Sequence, residues 1–292
     1  MIKKKLYVWS CDYSNKTGEG NLARLFSKEL KKNFILKLKN PKNLNIHIKI
    51  LNYKYLSPFV GIFFCWYFYL AGKRVCYLNY LPMWNFILFL FLPPSTILGP
   101  ITGGSNYRNN NKLIRKFLFP IFYKISEIFL LLRNTETIFS TDLLKKYLSK
   151  KTIKKSKFNF IFKFYQKKIK LKKNIDFVLY YRKHKNKEDF FPINLVKKLL
   201  NKKLKVHVVG DVLNVRGIKN HGKINQGKIN KLLSKTKYSI ISGESLYTFF
   251  TFDCINNNVK ILVNKKNNQK VTKFKKSFIK IDFNSKKIPY FF

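Results

Sequence analysis

The sequence predicts an α/β fold made of two β/α domains. Short β-rich segments alternate with amphipathic segments of helical period, a pattern typical of parallel sheets covered by helices. The alternation breaks between residues 148 and 173, where lysine-dense sequence lacks this rhythm, and then restarts. At 292 residues with 46% hydrophobic content, the chain is long enough for two ordinary domains. We therefore predict an N-terminal domain over 1–150, a basic interdomain segment over 151–173 and a C-terminal domain over 174–292.

The first half alternates as follows. A strand over Lys3–Ser10 precedes a glycine-containing turn and an amphipathic helix from Asn21. The next predicted elements are the strand IHIKIL, a helix from Ser57, the strand RVCYLNY, a helix from Met83, the strand STILGP, a helix over Lys112–Leu132 and the strand-to-helix segment TIFSTDLLKKYL. The most apolar stretches, 57–72 and 83–94, are shorter than the roughly 20 residues of a spanning helix. Pro58 and Gly61 interrupt the first, so we expect buried or membrane-surface helices.

The second half repeats the pattern with clearer boundaries. Its predicted elements are the strand IDFVLYY, the helix NLVKKLLNKK, the strand LKVHVVGD, a short strand near IKNHGKI, the helix KINKLLSK, the strand YSIIS, the helix FFTFDCINN and the strand VKILVN. Together the halves predict two Rossmann-like domains.

The net charge indicates that the partner is an anion but does not identify which kind. A formal charge of +47 attracts nucleic acid, anionic membrane surfaces and nucleotide phosphates alike. The lysines are spread among asparagine, isoleucine, phenylalanine and tyrosine, so a compositional bias of the genome explains much of the charge equally well. No recognisable nucleic-acid-binding module is present, and we expect no nucleic-acid partner. Four separated cysteines, four scattered histidines and the lack of a signal peptide predict no disulfide framework, no metal site and a cytoplasmic location.

Ligands of parallel α/β sheets bind beyond the carboxyl ends of the strands, so the strand-to-helix loops carry the candidate residues. Arg182 follows IDFVLYY, and Lys187 comes after four intervening residues. Such cations suit a diphosphate. LKVHVVGD ends in Gly210 and Asp211, and Gly222 lies in the next loop. These glycines can let the backbone approach a nucleobase, or simply form turns.

The segment from Tyr238 to Val259 contains no lysine or arginine but keeps Glu244 and Asp253. Carboxylates accept hydrogen bonds from paired hydroxyls, which suits a sugar or a ribose. A helix start that favours acids, followed by buried apolar sequence, is the structural alternative. Backbone amides between Ser245 and Thr248 are candidates for phosphate contact at that helix start.

Two loops of the N-terminal domain are candidates for the acceptor side. The loop TGEGN carries Gly18, Glu19 and Gly20, and the loop GPITGGS carries Thr102 and Gly103. Glycines at a helix start can expose backbone amides to an anion or a sugar, although a tight turn explains them as well.

Taken in order, these motifs resemble retaining glycosyltransferases of the GT-B fold, in particular glycosyltransferase family 4, which is marked by an E-x7-E motif. The resemblance covers most of the chain and is most specific over Ile175–Asn264. It implies two Rossmann-like domains facing each other across a cleft. It also implies that Arg182 and Lys187 hold the donor diphosphate, Glu244 meets the donor sugar and Asp253 holds the ribose. The spacing here is E-x8-D, and SLYTFF replaces the glycine-rich turn of the family.

The resemblance further implies catalysis by positioning and electrostatics, with catalytic roles for Glu244, Arg182 and Lys187 and with donor contacts from Ser245, Thr248, Gly210, Asp211 and Gly222. No D-x-D metal motif occurs, so we expect no metal and no cofactor beyond a UDP- or GDP-linked sugar as co-substrate. The acceptor would be a glycan or a lipid-linked molecule. The reaction would belong to cell-envelope polysaccharide biosynthesis, at the inner face of the cytoplasmic membrane. The alternatives are a degenerate GT-B binding protein and a basic nucleic-acid-binding protein.

Overall fold

The computed structural model describes residues 3–15, 17–41, 53–78, 81–103, 113–133, 135–163, 171–184, 188, 191–241, 245–267 and 269–285. The chain divides into two compact units, Met1–Phe164 and Tyr165–Phe292. Each unit contains parallel strands connected by helices, so the predicted α/β class is confirmed.

The first unit contains six strands and five helices among its described residues. The strands are β1 (Lys4–Trp9), β2 (Phe34–Lys39), β3 (Arg74–Tyr77), β4 (Ile97–Leu98), β5 (Thr137–Ile138) and β6 (Ser156–Lys157). The helices are α1 (Gly18–Leu30), α2 (Tyr53–Leu70), α3 (Phe86–Phe91), α4 (Leu113–Leu132) and α5 (Lys150–Lys154). Short 3-10 turns lie at Lys145–Tyr147 and Phe160–Lys163.

The strands of the first unit run parallel in the order β2-β1-β3-β4. Val8 of β1 is in register with Leu38 on one side and with Cys76 on the other. Single bridges from Leu81 to Ile101 and from Ile101 to Phe139 continue the pairing towards β5, which pairs with β6.

Helix α2 packs on the centre of this sheet through a glycine. A Cβ at Gly61 would lie 2.3 Å from the Trp9 ring, so only glycine lets the fully buried indole contact the helix. The indole Nε1 also donates to the Ser57 carbonyl, 3.1 Å away. The predicted interruption at Pro58 and Gly61 is wrong, because α2 runs through both residues. Packing against the sheet outweighs the local propensity of these residues.

Two buried charges fix the helices that follow. The Arg133 guanidinium donates to the carbonyls of Phe89, Leu92 and Pro93 at the end of α3, and burial lowers its pKa to about 10. It therefore satisfies the carbonyls that a helix leaves unpaired at its end.

The second buried charge is the Glu127 carboxylate of α4. It accepts from the Thr152 hydroxyl at 2.6 Å, the Ser149 amide at 2.5 Å and the Lys124 ammonium at 2.9 Å. Burial alone would raise its pKa, but these hydrogen bonds prevail and lower the pKa to about 2. Glu127 thus attaches α5 to α4. Residues 151–163 of the predicted interdomain segment belong to the first unit, where they form most of α5, β6 and a 3-10 turn.

The second unit contains six strands and three helices in its described part. The strands are β7 (Ile175–Tyr181), β8 (Val206–Gly210), β9 (Lys219–Asn220), β10 (Thr236–Ile240), β11 (Lys260–Asn264) and β12 (Phe278–Ile281). The helices are α6 (Ile193–Asn201), α7 (Gln226–Ser234) and α8 (Phe249–Asn256), and a 3-10 turn lies at Lys275–Ser277.

All six strands run parallel in the order β12-β11-β10-β7-β8-β9. The core includes Phe177, Val208 and Leu262, which are completely buried. Strands β7 and β10 lie in the centre of the sheet, and most of their residues are buried.

Strands β2 and β12 were not predicted, and the predicted strand IHIKIL lies outside the described residues. None of the described helices has the length and hydropathy needed to cross a bilayer.

Candidate functional site

The strand order of the second unit reverses between β7 and β10. From β7 the chain moves outward to β8 and β9, then returns to the other side of β7 and continues through β10, β11 and β12. Because all strands are parallel, their carboxyl ends meet at one edge of the sheet. A crevice outside the carboxyl ends at such a reversal is where open α/β sheets bind ligands. The residues that follow Tyr181 and Ile240 therefore flank the candidate site.

The predicted cation Arg182 occupies this edge. It follows β7 directly and is exposed, whereas Tyr181 before it is buried. Its guanidinium is near enough to Asp211 to help lower the pKa of that carboxyl. Lys187 and Glu244 lie outside the described residues.

Asp211 ties together three loops of this edge. Its Oδ2 accepts from the Lys183 amide at 2.8 Å, and its Oδ1 pairs with the Lys223 ammonium at 3.0 Å. The Asp211 amide donates to the Tyr181 carbonyl, 2.9 Å away. The Lys223 hydrogen bond and then the Lys183 amide lower the pKa of Asp211, so it stays ionised at neutral pH. These contacts give Asp211 a positioning role for the Arg182 loop, and its predicted donor contact stays a prediction.

Gly210 and Gly222 are neighbours at the same edge but have different surroundings. The Gly210 amide donates to the Gly222 carbonyl at 3.0 Å, and both residues have positive φ. A Cβ on Gly210 would lie 2.1 Å from the Tyr181 carbonyl oxygen, so glycine is required for the approach of β7. A Cβ on Gly222 would meet no described atom within 4 Å. The described residues therefore leave open space beside the Gly222 backbone, and the predicted nucleobase contact stays a prediction.

The segment before α8 is held by hydrogen bonds. The Leu246 amide donates to Gln269 Oε1 at 2.5 Å, and the buried Tyr247 hydroxyl accepts from the Thr272 and Lys273 amides, both at 3.0 Å. These hydrogen bonds fix the backbone of this glycine-free segment.

The predicted Ser245 and Thr248 lie on this segment. The Thr248 side chain accepts from the Thr251 amide at 3.1 Å, and the Thr251 side chain accepts from the Thr248 amide at 3.3 Å. This capping box uses the Thr248 amide, which is one of the backbone amides of the predicted phosphate contact. The Ser245 hydroxyl donates to the Tyr247 carbonyl at 3.4 Å.

The structure buries Asp253, the predicted ribose ligand. Its residue is 5% exposed, and the Gln226 side chain at the start of α7 is near enough to its carboxyl group to lower the pKa of that group. Burial raises the pKa of Asp253 to about 6, although the Gln226 hydrogen bond acts in the opposite direction. A ribose contact would require this buried carboxyl group to become accessible, so the predicted role stays a prediction.

An aromatic pair at this edge was missed. Tyr180 is 44% exposed although the rest of β7 is mostly buried, and its ring lies 5.7 Å from the Phe250 ring in the first turn of α8. The pair joins the two elements on either side of the reversal. An aromatic residue next to the last position of a buried strand is the sequence signal that could have found it.

In the first unit, Asp12 organises the loop after β1 and was also missed. Its Oδ1 accepts from the Ser14 amide at 2.8 Å and its Oδ2 from the Thr17 hydroxyl at 2.5 Å. Thr17 in turn caps α1 by accepting from the Gly20 amide at 2.9 Å. A Cβ on Gly20 would lie 2.2 Å from the Ser14 carbonyl oxygen, so the close approach of these two residues requires glycine at position 20. Gly20 is one of the residues predicted to contact the acceptor substrate.

The other predicted acceptor-side residues lie at two places. Gly18 and the exposed Glu19 begin α1, and a Cβ on Gly18 would meet no described atom within 4 Å. Thr102 donates its amide to the Leu81 carbonyl at 3.1 Å, and Gly103 follows with φ of 77°. Their acceptor role stays a prediction.

Histidine, cysteine and carboxylate side chains of the described residues form no group of three or more that could hold a metal ion. His207 and His221 form a pair, with Nδ1 and Nε2 at 3.1 Å. Burial, and then the charge of His221, lower the pKa of His207 to about 4.

No protein-family model and no curated protein sequence matches the chain. Among solved structures, Anabaena HepE in complex with UDP and glucose is 8% identical, with 90% of this chain and 81% of that chain covered and a TM-score of 0.49. A Listeria monocytogenes protein assigned as a UDP-N-acetylglucosamine 2-epimerase is 10% identical, with 90% and 79% covered and a TM-score of 0.46. The glycotransferase of kitacinnamycin is 9% identical, with 97% and 87% covered and a TM-score of 0.45. At these values the matches assign no role to any residue of this chain.

Proposed function

We propose that the chain is a glycosyltransferase that moves a sugar from a nucleoside diphosphate donor to a glycan or a lipid-linked acceptor. The observation that carries the proposal is the reversal of strand order between β7 and β10, with Arg182 at the carboxyl end of β7. A reversal of this kind leaves room for a nucleotide, and an exposed guanidinium there suits its diphosphate.

The cations of this edge would act on the leaving group. The diphosphate gains negative charge as the bond to the sugar breaks, and fixed positive charges stabilise that change. Asp211 supports this role by holding the Lys183 amide and the Lys223 ammonium, so the loop that carries Arg182 keeps its position. Lys187 would add a second cation and Glu244 would contact the donor sugar, as the family resemblance implies.

The finer features of the reaction belong to the same proposal. Retention of configuration is what the resemblance implies, and the lack of a D-x-D motif in the sequence agrees with a reaction that needs no metal. The setting would be cell-envelope polysaccharide synthesis on the cytoplasmic side of the membrane.

A second candidate is a nucleotide-sugar-binding protein that does not transfer the sugar. The burial of Asp253 and the capping box at Thr248 favour it, because both engage groups that a donor would use. The two candidates share donor binding and differ in turnover.

Nucleotide binding is tested by thermal unfolding with UDP, GDP and a short oligonucleotide. A ligand at about a hundredfold excess over its Kd stabilises the folded state by about 2.7 kcal/mol. We expect one nucleoside diphosphate to stabilise the wild type and an Arg24→Ala control, and to lose most of its effect on Arg182→Ala. Arg24 is the matched control because it is an exposed arginine on α1 in the other unit.

Equal stabilisation of both variants by the oligonucleotide alone would replace the proposal with a polyanion-binding function. If a nucleotide binds at Arg182, release of the nucleoside diphosphate from its sugar conjugate, measured with acceptor extracts, decides between transfer and binding alone.

A further inference from the structure

One side of the first unit carries most of the exposed apolar surface. Among the described residues, seventeen large apolar side chains are exposed, and thirteen of them lie on α2, α3 and α4. Isolated exposed apolar residues are ordinary, but a concentration on adjacent helices marks an interaction surface. We call the outward side of α2, α3 and α4 the three-helix face.

Helix α2 contributes a regular stripe to the three-helix face. Phe59, Phe63, Tyr67 and Leu70 recur every three or four residues, and Phe63 and Leu70 are 75% and 77% exposed. This spacing places them along one side of a helix. The opposite side of α2 carries Cys65, which is buried in the core of the first unit.

Direct contacts join the three helices into one surface. The Trp66 indole of α2 donates to the Phe91 carbonyl at the end of α3, 2.6 Å away. Between α3 and α4 the rings of Phe86 and Phe122 lie 5.2 Å apart. Beyond this contact, α4 extends the surface with Phe117, which is exposed like its neighbours on α4.

The charge of the three-helix face is positive. Helices α2 and α3 contain no acidic residue, and the single acid of α4, Glu127, is buried in its hydrogen bonds to α5. The exposed Lys116 lies on α4 and the exposed Lys73 follows α2, whereas the Lys124 ammonium of α4 is paired with Glu127. Apolar side chains flanked by lysines favour the boundary between acyl chains and anionic headgroups, where each lysine contributes about 1 kcal/mol.

The charge also decides between a bilayer and a second copy of the chain. Two copies would each bring a formal charge of +47, so their approach is opposed by electrostatic repulsion. An anionic bilayer offers both an apolar layer and the opposite charge.

We propose that the three-helix face docks the protein on an anionic lipid bilayer, with the aromatic and aliphatic side chains of α2, α3 and α4 inserted among the headgroups. This inference goes beyond the proposed transferase activity and does not depend on it. If both hold, the acceptor reaches the enzyme at the bilayer surface.

The test is sedimentation of the full chain with vesicles of phosphatidylcholine alone and with vesicles of phosphatidylcholine and phosphatidylglycerol in equal parts. The patch variant is Phe63→Ser/Phe117→Ser. The control is Ile35→Ser/Leu171→Ser, which changes two exposed apolar residues outside the face and keeps the net charge. Circular dichroism and unfolding midpoints verify that both variants are folded.

We expect wild type and control to bind the anionic vesicles and the patch variant to bind at least about tenfold more weakly, as the loss of two inserted rings requires. Equal binding by the patch variant and the control would show that charge alone attracts the protein and would overturn the proposal. So would a lack of wild-type binding at low salt.

Sedimentation velocity without lipid tests whether a second copy of the chain binds the three-helix face instead. A wild-type dimer that the patch substitutions dissociate would assign the face to a second copy and overturn the proposal. The substituted patch residues belong to the first unit and the candidate nucleotide site to the second, so stabilisation by UDP or GDP should be the same in both variants. Failure of either proposal can therefore be recognised separately.

Discussion

We expect Asp253→Asn to stabilise the protein at neutral pH, because asparagine keeps the shape of the side chain and removes a buried charge. Asp253 is 5% exposed, and burial raises its pKa from 3.8 to about 6. A rise of about two units corresponds to roughly 3 kcal/mol at about 1.4 kcal/mol per unit. The folded wild type bears this cost only when the carboxyl group is ionised.

The sign of the pH dependence follows from the raised pKa. In the folded protein the carboxyl group binds a proton more tightly than in the unfolded chain, so its contribution to stability is largest below pH 3.8 and is lost as the pH rises through about 6. Asparagine does not titrate. The gain from Asp253→Asn should therefore approach about 3 kcal/mol at about pH 8 and vanish below about pH 4.

The measurement is urea unfolding of both proteins across this pH range, with Asp176→Asn as the control. Asp176 accepts from the Lys237 ammonium at 2.8 Å and the Lys205 amide at 2.9 Å; these hydrogen bonds outweigh its burial and lower its pKa. Its replacement should therefore destabilise the protein at neutral pH, with the opposite sign. Destabilisation by Asp253→Asn at about pH 8 would refute the reasoning.

The same variant tests the ribose contact. If the Asp253 carboxylate binds ribose hydroxyls, the variant should be more stable alone and gain less from UDP or GDP than the wild type. An unchanged gain would assign Asp253 to the helix packing with Gln226.

Three further substitutions test the framework. Gly210→Ala should lower the free energy of unfolding in urea by at least about 3 kcal/mol, because its Cβ would clash with the Tyr181 carbonyl oxygen and its φ is 105°. Gly222→Ala should lower it by about 1 kcal/mol, since only the positive φ is unfavourable there. Similar losses in the two variants would contradict the strain argument. Glu127→Gln should remove a stabilisation that is present above pH 4.5 and is lost as the pH falls towards about 2, so a wild-type acid-unfolding profile in the variant would contradict the assigned hydrogen bonds. Arg133→Met should lower the unfolding free energy by about 3 kcal/mol, since it leaves the carbonyls at the end of α3 without their donor, and an unchanged thermal midpoint would show that water replaces the guanidinium.

The order of elements was accessible from the sequence because it depends on local periodicity. The predicted strand IDFVLYY coincides with β7, and the predicted helix NLVKKLLNKK contains most of α6. Strand β2 was not recognised from its sequence FILKLK. None of its residues is fully buried, so the strand lacks the strongly apolar sequence of a central strand. The position of Arg182 at a strand end was likewise readable, since it needs only the limit of β7.

The sequence by itself determined the α/β class, most of the succession of strands and helices and the position of Arg182 at a strand end, because short-range patterns of apolar residues encode these features. Only the tertiary structure decided what those residues do. It places the reversal between β7 and β10, uses Asp211 to hold the Arg182 loop and buries Asp253 against Gln226. These outcomes depend on contacts between residues far apart in the chain, which no local pattern contains.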